Sequence, residues 1–246
     1  MAAFENLADK IAMHEFGDSA LMLSVRDDDP AVRRGVIADV RSILLPRLPY
    51  GARDAVAGLE SLLVEFDPLV VAPRQLAQVL ELIINVHQHD AGGGGTAPQQ
   101  FLIPVDFRRE FAPDLDDVAS ELGLTPAQVI EAFTGSSLRI NLLAAAMAPM
   151  MDGVQFPAPV SRCAIPRTDV AAGSIMVAGL NAIIQPFPGP TGWKVIGRTP
   201  LRICDIAEQP ATSYTAGDNV RFMALEDGQW PDLEGQFLRS TKVETP

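Results

Sequence analysis

Apolar residues follow two rhythms along this chain. In residues 31–45, Val32, Val36, Ile37, Val40, Ile43 and Leu44 recur at helical spacing. Pro46 and Pro49 stop that helix, because proline has no N–H for the ladder. A second helix is predicted over 73–87, with Pro73 in its first turn and Leu76, Val79, Leu80, Ile83 and Ile84 on its buried face. Short apolar runs bounded by turn residues predict strands instead. One follows the Gly17-Asp18 turn and runs to Val25, and a strand pair occupies 55–58 and 61–66. Strand, helix, strand pair and helix make a small α/β domain of about ninety residues, well within single-domain size.

Four consecutive glycines, Gly92 to Gly95, cannot cheaply adopt a regular element. They predict a linker over 91–99, between a domain at 1–90 and a second at 100–246. No lysine follows them at the spacing of a phosphate-binding loop. In the second domain, residues 101–105 read as a strand. Residues 113–122 and 125–133 read as short helices, the latter with Thr125 as N-cap and Pro126 as its first residue. Residues 138–147 are apolar. Between Cys163 and Asp205, the runs 174–178, 182–184, 194–196 and 201–204 are separated by glycine or proline, as in a sandwich or small barrel. Residues 215–225 give a turn and a strand, and the tail from Glu226 is expected to fray, apart from Trp230. The fold class is α+β.

Composition narrows function more than fold. A hydrophobic content of 48% with 20% charged residues suits a globular protein. A formal net charge of −12 argues against a general nucleic-acid binder, which needs a cationic face. Cys163 and Cys204 lie far apart beside apolar runs, so free thiols are expected and no CxxC metal spacing exists. Residues 1–14 carry acidic groups and no apolar core ending in a cleavage site, and no apolar run approaches the ~20 residues of a membrane helix. The expectation is a cytoplasmic protein without membrane contact.

Several segments stand in a recognisable order: Phe16-Gly17-Asp18-Ser19, Leu62 through Asp67-Pro68, Ile103-Pro104-Val105 and Pro113-Asp114-Leu115. Pro166-Arg167, Ala172-Gly173-Ser174, Gly192-Trp193, Ile196-Gly197-Arg198-Thr199-Pro200 and Ala216-Gly217-Asp218 complete the series. Taken together they resemble the PxpB/KipI family of carboxyltransferase C/D, or allophanate hydrolase subunit 1-like, domains. The resemblance spans about residues 12–225. It implies an N-terminal α/β domain followed by a cyclophilin-like β-barrel. It also implies a homologous second subunit, PxpC-like or allophanate hydrolase subunit 2-like. The implied activity is a 5-oxoprolinase-like, ATP-dependent hydrolysis of a small amide, lactam or urea-type substrate, or a carboxyl transfer. ATP would belong to the complex, and no metal to this chain. The alternative is a non-catalytic regulator of the Kip type that inhibits a histidine kinase.

The sequence departs from that pattern at loops. A family histidine-threonine pair reads Phe133-Thr134, and a glycine-phenylalanine-x-proline-glycine-phenylalanine loop reads Ala146-Met147-Ala148-Pro149-Met150-Met151. A glycine-serine-glutamine-threonine-glycine turn reads Gly179-Leu180-Asn181-Ala182-Ile183. Phenylalanine in place of histidine removes a proton carrier. All three histidines, His14, His87 and His89, precede the second domain. Asp114, Asp116 and Asp117 sit at a helix start, where the dipole favours negative charge. The candidate substrate-binding residues are Arg167 and Arg198 as carboxylate partners, Trp193 as a ring platform and Asn181 as donor and acceptor to an amide.

Overall fold

In the computed structural model, which describes residues 7–90, 98–226 and 228–241, the chain divides into two units, 1–97 and 98–246. Most of the expected glycine linker, residues 91–97, lies outside the described residues.

In the first unit, β1 (Ile11–Glu15), β2 (Ala20–Val25), β3 (Ala52–Ala57) and β4 (Ser61–Phe66) form an antiparallel sheet in the order β1-β2-β4-β3. Two helices accompany it, α1 (Pro30–Leu44) and α2 (Pro73–His87). Leu21, Leu23 and Val25 alternate inward from β2, as do Leu62, Val64 and Phe66 from β4. They meet Val36, Ile37, Val40 and Leu44 of α1 and Leu76, Leu80 and Ile84 of α2. Asp29 caps α1 by accepting from the Ala31 N–H at 2.8 Å. Two details differ from the sequence reading. Strand β1 was not predicted, because Ala12, His14 and Glu15 dilute its apolar pattern. Val79, expected on the buried face of α2, is exposed; the buried face is the i, i+4 row of Leu76, Leu80 and Ile84.

The second unit is built on a seven-stranded sheet of β5 (Gln100–Val105), β6 (Leu138–Leu143), β7 (Pro149–Asp152), β9 (Ser174–Ala178), β10 (Asn181–Ile184), β12 (Lys194–Arg198) and β13 (Asn219–Ala224). Its order is β12-β9-β10-β7-β6-β13-β5, and β8 (Arg167–Val170) pairs separately with β11 (Gly189–Thr191). The sheet curls nearly into a barrel. Its two edges meet where Asp106 N–H donates to Arg198 O at 2.8 Å and Arg198 N–H returns a bond to Asp106 O at 3.0 Å. Closure needs the glycine before Arg198, because a Cβ on Gly197 would lie 2.5 Å from Val105 Cγ1. The Gly-Arg-Thr-Pro signature is thus the barrel's seam.

Helices α3 (Leu115–Leu122) and α4 (Pro126–Gly135) pack against this barrel. Thr125 and Gln128 form a capping box at α4. Phe133, where the resemblance implies a histidine, is fully buried and stacks on Phe222 with ring centres 4.8 Å apart. Two expectations fail here. Residues 201–204 form no strand; Pro200 interrupts the ladder and only Arg202 bridges, to Phe237, while Ile203 and Cys204 are buried by packing. The tail does not fray within the described residues. A short helix α5 (Trp230–Leu233) precedes Leu238, which is buried and whose N–H donates to Arg202 O at 2.9 Å. Among the described residues, no helix is long and apolar enough to cross a membrane.

Candidate functional site

The segment leading into β8 folds over the Lys194 end of β12 and the start of α3. Between them lies an open cleft of 560 Å³, lined in part by Asp114, Asp117, Arg162, Cys163, Arg167 and Lys194. Asp114 precedes α3 and would ordinarily cap it, yet its carboxylate makes no capping bond. It turns instead toward the barrel. There it accepts from Arg167 on both oxygens, through Nε and Nη2, and from the Val195 N–H at 2.8 Å. The Asp114 N–H donates back to Val195 O at 3.0 Å. One buried carboxylate therefore ties α3, β8 and β12 together. The pairing raises the affinity of Arg167 for its proton, chiefly through the hydrogen bond it donates to Asp114, so the guanidinium stays charged.

A second pair frames the opposite rim. Lys194 Nζ donates to Glu121 Oε2 at 2.7 Å, and Glu121 also accepts from the Ser161 N–H and hydroxyl at 2.6 and 3.0 Å. The bond from Lys194, ahead of the others, holds the Glu121 carboxyl below its ordinary range. Cys163 lies between these pairs, its thiol directed at Trp193 O at 3.5 Å. Burial, then the Asp114 charge, pushes its ionisation up, so it is a thiol at neutral pH and a poor nucleophile. The Trp193 ring rests on Val170, Met176 and Val195, and the Arg162 guanidinium carbon sits 5.9 Å from its centre.

Of the four residues singled out from sequence, Arg167 lines this cleft and Trp193 adjoins it. Asn181 lies at the same end of the barrel, two strands over, paired with Ala178 and Asp152. Arg198 is at the other end of β12, about 13 Å along the strand at ordinary β rise. Its Nε donates to Ala172 O at 3.0 Å, and its guanidinium lies 5.7 and 5.5 Å from the stacked rings of Phe111 and Trp230. A smaller hollow of 280 Å³, lined by Phe107, Arg108, Glu226 and Trp230, adjoins that aromatic pair. Sequence reasoning missed Arg162 and Lys194, since neither stands in a distinctive motif. Among the described residues, no cluster of three or more histidine, cysteine or carboxylate groups is placed to hold a metal ion.

The divergent loop at 144–148 keeps a glycine-like backbone without the glycine. Ala146 and Met147 hold φ of 56° and 63°, a left-handed conformation that costs an L-residue about 1–2 kcal/mol. The buried Tyr214 hydroxyl donates to Met147 O at 2.9 Å and fixes the turn. Burial pushes the ionisation of Tyr214 up, which keeps that hydroxyl a donor.

A family model described as carboxyltransferase domain, subdomain C and D, matches residues 11–214. A 5-oxoprolinase subunit of Bacillus subtilis (strain 168) is 26% identical over 223 residues, covering 87% of this chain and 93% of the relative. The crystal structure of TTHA0988 superposes with a TM-score of 0.68 at 26% identity over 85% of this chain, which spans 40% of that one. The Kluyveromyces lactis urea carboxylase gives a TM-score of 0.69 at 15% identity, over 94% of this chain and 24% of that chain, a likeness of fold alone.

Proposed function

The chain belongs to the family of carboxyltransferase domains, subdomain C and D, and on that premise we propose that it is one subunit of a multi-subunit, ATP-dependent amide or lactam hydrolase of the 5-oxoprolinase type. The observation that carries this reading is the ion-paired cleft. A guanidinium and an ammonium, each held by a carboxylate, stand beside an indole that can support a small ring. A cationic rim beside an apolar face suits a substrate with a carboxylate or carbonyl at one end and an apolar body. A homologous second carboxyltransferase-like subunit would supply the rest of the site.

The chain's own residues fit only part of the chemistry. Residues 98–246 contain no histidine, and the Cys163 thiol is not activated. The glycine run lacks the lysine of a phosphate-binding loop, and ATP is assigned at the level of the complex. Within that division of labour, the cationic rim of the cleft holds the polar end of the substrate, and the Trp193 indole supports its apolar body. The test is to co-purify the chain with its second subunit and measure phosphate release from ATP with 5-oxoproline, 2-pyrrolidone and urea. An intact complex that is silent across this panel would sink the assignment.

A second reading, a non-catalytic regulator of the Kip type, has one observation in its favour. Phe133 occupies the family's histidine position as a core residue, stacked on Phe222 and fully buried. Inhibition of a histidine kinase's autophosphorylation by the purified chain, together with a silent hydrolase panel, would establish this alternative.

A further inference from the structure

Three cations line the cleft, and two of them are already matched. Both carboxylate oxygens of Asp114 engage Arg167, and Glu121 engages Lys194 at 2.7 Å. An arriving anion would have to compete with those carboxylates for the same donors. Arg162 is different. It is exposed, it forms no ion pair with a carboxylate among the described residues, and its guanidinium is held 5.9 Å from the centre of the Trp193 ring. A guanidinium over an aromatic face keeps its planar fork of N–H donors available, and that fork matches a carboxylate in two parallel hydrogen bonds. The indole beneath it is anchored on Val170, Met176 and Val195, so the cation is positioned without being neutralised.

We propose that Arg162, not Arg167, receives the ligand's anionic group, and that the ligand is a small carboxylate carried on an apolar body. In this arrangement Arg167 is a positioning residue. Its pair with Asp114 fixes β8, and hence the segment bearing Arg162, against α3 and β12. Trp193 serves both as the seat of the guanidinium and as a face for the ligand's apolar part. The proposal rests on the reading of this cleft as the working site and names the group that recognises the substrate there.

The chain has two tryptophans, so the Trp193 indole N–H resonance can be assigned with Trp193→Phe and followed by NMR. Acetate, 5-oxoproline and 2-pyrrolidone, which lacks the carboxylate, are the probes. Acetate and 5-oxoproline are expected to shift the Trp193 signal saturably. Arg162→Ala should weaken both by roughly tenfold or more, the scale of a lost hydrogen bond to a charged group, and leave 2-pyrrolidone unchanged. Arg162→Lys should fall between, because it keeps the charge and loses the fork. Unchanged anion binding in Arg162→Ala would overturn the proposal. So would no saturable shift in the wild type, or anion binding lost in Arg167→Lys while the Trp193 signal of the free protein stays where it was, because a positioning residue acts by displacing the Arg162–Trp193 pair. The two readings separate cleanly. Lactam-dependent ATP turnover that is indifferent to Arg162→Ala removes Arg162 and spares the hydrolase. Anion binding lost in Arg162→Ala, with a silent hydrolase panel, does the reverse.

Discussion

At the barrel seam, a single missing methyl group sets the geometry. A Cβ at Gly197 would meet Val105 Cγ1 at 2.5 Å and Asp106 O at 3.2 Å, so β12 and the end of β5 could not close to hydrogen-bonding distance. Gly197→Ala is expected to lower stability by about 1–3 kcal/mol, as overpacking does, in urea unfolding. The turn at 144–148 carries the opposite signature. Its left-handed Ala146 would be less strained as glycine, offset by glycine's greater entropy loss on folding. Ala146→Gly should therefore be neutral or more stable by up to about 1 kcal/mol, and Ala146→Val clearly less stable. Tyr214→Phe, which removes the bond to Met147 O, should cost about 1 kcal/mol. Thermal unfolding of these variants beside the wild type would rank them.

At the scale of elements, the sequence carries what local physics encodes. Proline and capping residues placed α1, α2 and α4 to within a residue or two, because caps and terminators act through neighbouring backbone groups. Elements settled by distant partners were not legible. The two-stranded pairing of β8 with β11 lacks an apolar run, and the apolar residues Ile203 and Cys204, which make 201–204 read as a strand, are buried by packing and not by a ladder. The candidate site divides in the same way. Arg167 and Trp193 stand in recognisable motifs, whereas the role of Asp114 depends on a contact with Val195, far along the chain. Asp106, the residue after β5, gives the fold a pH dependence through the bonds its carboxylate accepts from Arg108. Burial pushes its carboxyl up, but the side-chain and backbone bonds of Arg108 together more than offset that, so its folded pKa is depressed. The resulting stabilisation is complete above the unfolded carboxylate value near pH 4 and is lost as pH falls through the lower folded value. The stability gap between wild type and Asp106→Asn should thus narrow from pH 7 to about pH 3 in urea titrations. An equal gap at both would remove Asp106 from the acid response.

At the scale of the whole molecule, the fold is that of the family. The barrel retains its seam and the anchored cleft, and the family model matches residues 11–214. Phe133, where the resemblance implies a histidine, is part of the core, and among the residues lining the cleft the thiol is kept protonated. On the proposed reading, this chain supplies part of a substrate site and activity belongs to an assembly. The direct measurement is phosphate release from ATP in the presence of 5-oxoproline, for this chain alone, for its second subunit alone and for the two combined. Release dependent on 5-oxoproline is expected only from the combination. Turnover by this chain alone, or none from a complex shown to be assembled, would contradict its assignment as a hydrolase subunit that works only in complex.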